Sequence, residues 1–161
     1  MVETPQAIQY EEVVTAIQVF INEGGRLFGA FAAQQRLHPT DVHALLHVML
    51  AEGRGAPLTA GGLGAELDLS SGAVTALVDR LERAGHVTRA RDAADRRKVL
   101  LHYSPAGREL AESFFEPLNA RTAPLVGTYS QAELGMITRF LHEMSDAFAA
   151  HRTDLAEGQP T

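Results

Sequence analysis

Residues 70–103 read SSGAVTALVDRLERAGHVTRARDAADRRKVLLHY, and inside this stretch the apolar period changes from helical to alternating. Val74, Leu77, Val78 and Leu81 recur at steps of three and four, which predicts a helix capped by Ser70 or Ser71 and ended by Gly85. His86 to Arg91 and Val99 to Tyr103 then read as two short strands joined by a highly charged turn. Opposite the apolar stripe, Ser71, Gly72, Thr75, Ala76, Asp79 and Arg80 share the other face of the helix, and the residues at its start are small.

Upstream, Leu58 to Leu67 is a short helical candidate weakened by Gly61, Gly62 and Gly64, each costing up to about 1 kcal/mol against alanine. Packing must hold it. With the helix after the short link it forms a helix-turn-helix, and the hairpin that follows adds a wing. Further back, Pro39 marks a helix start whose buried stripe is Val42, Leu45, Leu46 and Met49 and whose end lies near Gly53. Pro5 to Leu37 reads as one long helix, with a bend or break expected at Gly24 and Gly25.

Downstream, Ser104 and Pro105 supply a cap and a first-turn proline for another helix, which Pro117 should kink and Pro124 should end. Ser130 with Glu133 is a capping box for a last helix to about His151, whose Leu134, Ile137, Leu141, Met144 and Phe148 form a helix-packing seam. The remainder, residues 152–161, is expected to be a frayed tail. The fold expected is therefore mainly α. A winged helix-turn-helix module at 38–104, with a two-stranded wing, is flanked by long helices at 5–37 and 105–151 within one chain.

Charge is distributed unevenly along this frame. The whole chain carries a formal net charge of -6, yet Ser70 to Leu110 holds eight basic residues against five acidic ones, so that segment is +3 and the rest is -9. The chain's only lysine, Lys98, stands beside Arg96 and Arg97 in the turn of the hairpin. A basic island on an acidic body is the electrostatic footprint of a phosphate-backbone contact.

The absence of cysteine excludes disulfides, thiolate zinc sites and thiol nucleophiles. GGLG at 61–64 does not follow a strand and is no nucleotide-binding turn, and no Ser-His-Asp spacing with a nucleophile elbow occurs, so an enzyme is not expected and no cofactor is called for. The start, MVETPQAIQYEE, has neither the basic nor the apolar region of an export signal, and no apolar run reaches bilayer length. A cytoplasmic protein without membrane association is expected.

A helix entering the major groove needs small polar side chains at its amino end, and Ser70, Ser71, Gly72, Thr75 and Ala76 supply them, with Arg80 further along the same face as a DNA-contact candidate. An arginine at a hairpin tip is long and narrow enough for the minor groove, which makes Arg97 the candidate for insertion. Asp95 is expected to brace Arg97 or Arg89, while Arg96 and Lys98 supply phosphate contacts.

The run from Leu58 to Leu110, with LVDRLERAGHV leading into the first strand, the Asp-x-Arg pair at Asp95 and Arg97, and Ser-Pro-x-Gly at 104–107, resembles the MarR family of bacterial transcriptional regulators. The flanking helices extend the resemblance over nearly the whole chain. It implies a homodimer on a pseudo-palindromic double-stranded operator, acting as a repressor until a small aromatic or phenolic effector loosens it. Two departures stand out: the glycines of the first motif helix, and His38 where such proteins often place Ser or Thr before the proline.

His43 and His47 lie four apart and share a helix face, as two zinc ligands would, with His38, His142 or a carboxylate needed to complete a site. The same histidines, His38, His43 and His47, are alternatively candidates for lining an effector pocket at the junction of module and flanking helices. A zinc-responsive regulator is thus one alternative function. A winged helix retained for protein interaction, suggested by the net acidity, is another.

Overall fold

The computed structural model describes residues 5–156 and 158. Helix α1 spans Pro5–Gln35, α2 Pro39–Gly53, α3 Ala60–Glu66 and α4 Ser71–Arg83; strands β1 (Val87–Arg91) and β2 (Val99–Tyr103) follow, then α5 (Pro105–Val126) and α6 (Gln131–Ala156). The chain divides into two compact units, Met1–Phe114 and Phe115–Thr161, with the division falling inside α5.

In the first unit, α2, α3, α4 and the hairpin enclose one core. Leu45 and Val48 from α2 meet Leu63 from α3, Val74, Leu77, Val78 and Leu81 from α4, and Val87, Leu101 and Tyr103 from the strands. Fully burying side chains of this size contributes about 1.5–3 kcal/mol each, enough to hold a glycine-rich seven-residue helix that propensity alone would not. Gly64 shows why α3 carries glycine. A Cβ there would lie 3.2 Å from Val74 Cγ1, so the small residue lets α3 and α4 approach closely. Gly107 is tighter still, because a Cβ would fall on the His86 carbonyl where the start of α5 crosses the start of β1.

The strands pair antiparallel with Val87 opposite Tyr103 and Arg91 opposite Val99. A bridge between Thr59 and Leu100 ties the hairpin to the residues before α3, with Leu101 N–H donating to the Leu58 carbonyl at 2.7 Å. Ser104 joins β2 to α5: its Oγ accepts from Gly107 N–H at 2.9 Å and donates to the Gly85 carbonyl. Phe28 and Phe31 of α1 pack on Phe114 of α5, at ring separations of 5.4 and 4.5 Å.

Helix ends explain three differences from expectation. α1 runs unbroken through Gly24 and Gly25 and stops at Gln35, where Arg36 adopts φ 56° and Leu37 N–H returns to the Ala32 carbonyl. His38 caps α2 in place of Ser or Thr. Its Nδ1 accepts from Thr40 N–H, and Asp41 accepts from His38 N–H, each at 3.2 Å. Pro124 does not end α5, which continues to Val126: the proline has no N–H to donate, but the bonding resumes beyond it, with Gly127 N–H donating to the Ala123 carbonyl at 2.9 Å.

In the second unit the Ser130 and Glu133 box is present, Ser130 N–H donating to Glu133 at 2.8 Å and Glu133 N–H to Ser130 Oγ at 3.3 Å. Ser130's backbone and hydroxyl donors hold the Glu133 carboxyl below its ordinary range. α6 then extends to Ala156, beyond the end expected near His151, so residues 152–156 of the expected tail are helical; 157 and 159–161 lie outside the described residues. No helix among the described residues is long and apolar enough to cross a membrane.

Candidate nucleic-acid interface

The second helix of the motif, α4, starts on Ser70, whose Oγ accepts from Ala73 N–H at 3.3 Å. Ser71, Gly72, Thr75 and Ala76 are exposed on the face opposite the buried stripe, and no acidic residue occupies the first turn. The Thr75 hydroxyl donates to the Ser71 carbonyl at 2.8 Å, which leaves its oxygen able to accept. A helix start of this kind offers backbone N–H groups and partial positive charge to a phosphate.

At the hairpin tip, Asp92 N–H donates to the Lys98 carbonyl at 3.0 Å and Lys98 N–H to the Asp95 carbonyl at 2.8 Å, closing the turn. Asp95 then accepts from Arg97 three times: from its backbone N–H and Nε at 3.1 Å, and from Nη2 at 3.3 Å. Those bonds, with Lys98 nearby, hold the Asp95 carboxyl below its ordinary range. The Arg97 side chain nevertheless stays 91% exposed. The turn presents a cation whose direction is set by its own backbone. Arg96 and Lys98 flank it, both exposed.

Two arginines of the basic island are used differently. Arg89 on β1 reaches back to α4, donating Nη2 to Asp79 at 2.6 Å and Nη1 to Glu82. Asp95 therefore braces Arg97, and Arg89 has its own pair of carboxylates. This also neutralises both acidic residues of α4. Arg80 donates Nε to both Asp41 oxygens at 3.1 and 3.2 Å, and Asp41 is almost fully buried at the start of α2. Hydrogen bonding to the carboxylates holds both guanidinium groups above their ordinary range.

Asp41 was not among the residues singled out by sequence. The available signal was its place three residues after His38 and next to Pro39 and Thr40, a capping-box position. One carboxylate thus both caps α2 and pins α4.

The histidines do not converge. His38 caps α2, the His43 ring lies 6.1 Å from Phe28, and His47 Nδ1 lies 3.7 Å from Glu66. Among the described residues no group of three or more His, Asp or Glu could hold a metal ion, and the pair His43 and His47 gains no third ligand.

A sequence model of the MarR family matches residues 35–98, from the end of α1 to the wing tip. The uncharacterized HTH-type transcriptional regulator YcgE of Bacillus subtilis is 41% identical over 135 residues, covering 82% of this chain and 85% of that protein. A MepR mutant from a multidrug-resistant Staphylococcus aureus clinical isolate shares the fold at TM-score 0.65 and 20% identity, over 92% of this chain and 99% of that one. Another S. aureus MepR mutant, bound to an oligodeoxyribonucleotide, superposes at TM-score 0.52 and 20% identity, over 86% and 97% of the two chains.

Proposed function

This chain belongs to the MarR family of DNA-binding transcriptional regulators, and we propose that within it the protein is a homodimeric repressor released from its operator by a small molecule. The observation that carries the reading is the pairing, in one module, of a small-residue helix start on α4 with a wing-tip arginine braced and exposed. The α4 start, through Ser70, Ser71, Gly72, Thr75 and Ala76, enters the major groove, and Arg97 enters the adjoining minor groove. Arg96 and Lys98 contact phosphates. Arg80 contributes by holding α4 on Asp41, with its half-exposed side chain also facing the duplex.

Dimerisation is supported by apolar side chains left exposed on single helices. On α1 Phe20 is 73% and Ile21 51% exposed, and on α6 Met136 is 60% and Phe148 50% exposed. Burying such residues against a second copy recovers roughly 25 cal/mol per Å² of apolar surface. A two-fold dimer would present two reading helices to half-sites about one DNA turn, roughly 34 Å, apart.

A gel shift on the protein's own upstream DNA tests the reading. Specific binding by wild type and its marked loss in Arg97→Ala are expected; absence of specific binding, or an unaffected variant, refutes it.

A further inference from the structure

A cavity of about 570 Å³ opens between the end of α2, β2 and the first turns of α5, away from His38, His43 and His47. Met49, Pro57 and Ala111 give it apolar walls. Tyr103 adds its ring, because its hydroxyl is turned away to the Leu45 carbonyl at 2.7 Å. Burial pushes that hydroxyl above its ordinary range, so it remains a neutral donor.

The charged groups of the cavity are unbalanced. Glu52 and Glu112 share one arginine, Arg108, so the lining sets two carboxylates against one guanidinium. Glu52 is the inner carboxylate, its side chain only 16% exposed, and accepts from His102 Nδ1 at 2.9 Å. It also accepts from Tyr103 N–H at 3.4 Å. Arg108 is held loosely: Nη2 lies 3.4 and 3.5 Å from the two Glu52 oxygens, and its side chain is 60% exposed.

We propose that this cleft binds a small organic cation, a protonated amine on an apolar body. Arg108 stands one helical turn before Glu112 and can exchange Glu52 for it, an i,i+4 partner on the same helix face. The ammonium then takes the place on Glu52, and both carboxylates are paired. An anionic ligand would have to draw Arg108 from Glu52 and would set a third negative group against that one guanidinium in a half-buried site, where Coulombic terms are larger than in water. The apolar body lies along Met49, Pro57 and Ala111, with the face of Tyr103 a further partner for positive charge. Control of DNA binding through this cleft rests on the reading given above; the binding itself does not.

Calorimetric titration of the full chain, without DNA, decides the matter with three probes of similar shape: 2-phenylethylammonium, 2-phenylethanol and 3-phenylpropanoate. The ammonium should bind at least about tenfold more tightly than either of the others. Glu112→Gln, at an exposed position, should weaken it about fivefold, while Glu109→Gln on the same helix but outside the cleft should leave it unchanged. Equal affinity for the three probes, preference for the carboxylate, no binding at all, or equal effects of the two variants would each overturn the proposal. DNA binding by a protein that ignores the ammonium overturns only the cleft; ammonium binding by a protein that ignores DNA overturns only the repressor.

Discussion

Arg80, on α4, reaches a carboxylate 39 residues away in the chain, whereas Arg97, at the wing tip, is held by one only two residues away. The acceptor of the first is buried at 3% exposure, so the pair locks two helices together. The second leaves its guanidinium in solvent and fixes only a direction. Arg89, bound to Asp79 and Glu82 across the α4–β1 junction, belongs with Arg80. The formal charge of a basic island therefore overstates what it offers to a partner. Here the architecture consumes part of it, while Arg96, Arg97 and Lys98 stay exposed on the wing.

The comparison breaks most visibly at Asp41. Removing one partner of a buried ion pair costs about 3–5 kcal/mol, but Arg80 is 48% exposed and can be rehydrated, which lowers the expectation for Asp41→Ala to about 2 kcal/mol. Loss of the acceptor for His38 N–H is included in that figure. Urea unfolding should show the loss, and Asp41→Asn, which keeps one acceptor oxygen, should recover part of it. A midpoint unmoved in Asp41→Ala would mean that the pair locks nothing.

Most of the winged module was legible because its signals are local. Ser70 as cap, the Val74-to-Leu81 stripe, the two strands and the Ser130–Glu133 box each occupy a few consecutive residues, and each occurs where the pattern places it. The asymmetry among the arginines was not legible. Nothing in the spacing of Arg80 marks a partner in another helix, and Glu52 meets His102 across 50 residues. Glycine misled in both directions. Gly24 and Gly25 have open space around them and do not interrupt α1, whereas Gly64, read as a weakness, is what the contact with Val74 requires.

Arg97→Ala should show the opposite profile to Asp41→Ala. Its exposure predicts a change in stability within about 0.5 kcal/mol, while operator affinity falls about tenfold or more if the guanidinium is lodged in a groove. Lys98→Ala gives a smaller effect of another kind. A lysine touching only phosphate should weaken specific and non-specific DNA alike and lower the salt slope of binding by about one unit. Fluorescence anisotropy across a salt series separates the two; a loss confined to operator DNA in Lys98→Ala would give the lysine a base-reading role.

The smallest expected effect concerns acid. Arg97's side-chain and backbone donors, with Lys98, lower the Asp95 carboxyl, so its folded value lies below its unfolded one. Such a group contributes stability that is present above the unfolded value and is lost as pH falls through the lowered folded one. Mild acidification toward the ordinary carboxylate range therefore leaves Asp95 ionised and Arg97 braced. Because Asp95 is part-exposed at the surface and its partner Arg97 lies in solvent, the effect on global unfolding should be slight, and the place to look is the wing itself. Carboxyl chemical shifts followed by NMR should show Asp95 titrating below the ordinary aspartate value, and Arg97→Ala should return it toward that value. Titration of Asp95 at the ordinary aspartate value in the intact protein would show that the brace at the wing tip does not form, and the contrast with Arg80 would lose one of its two sides.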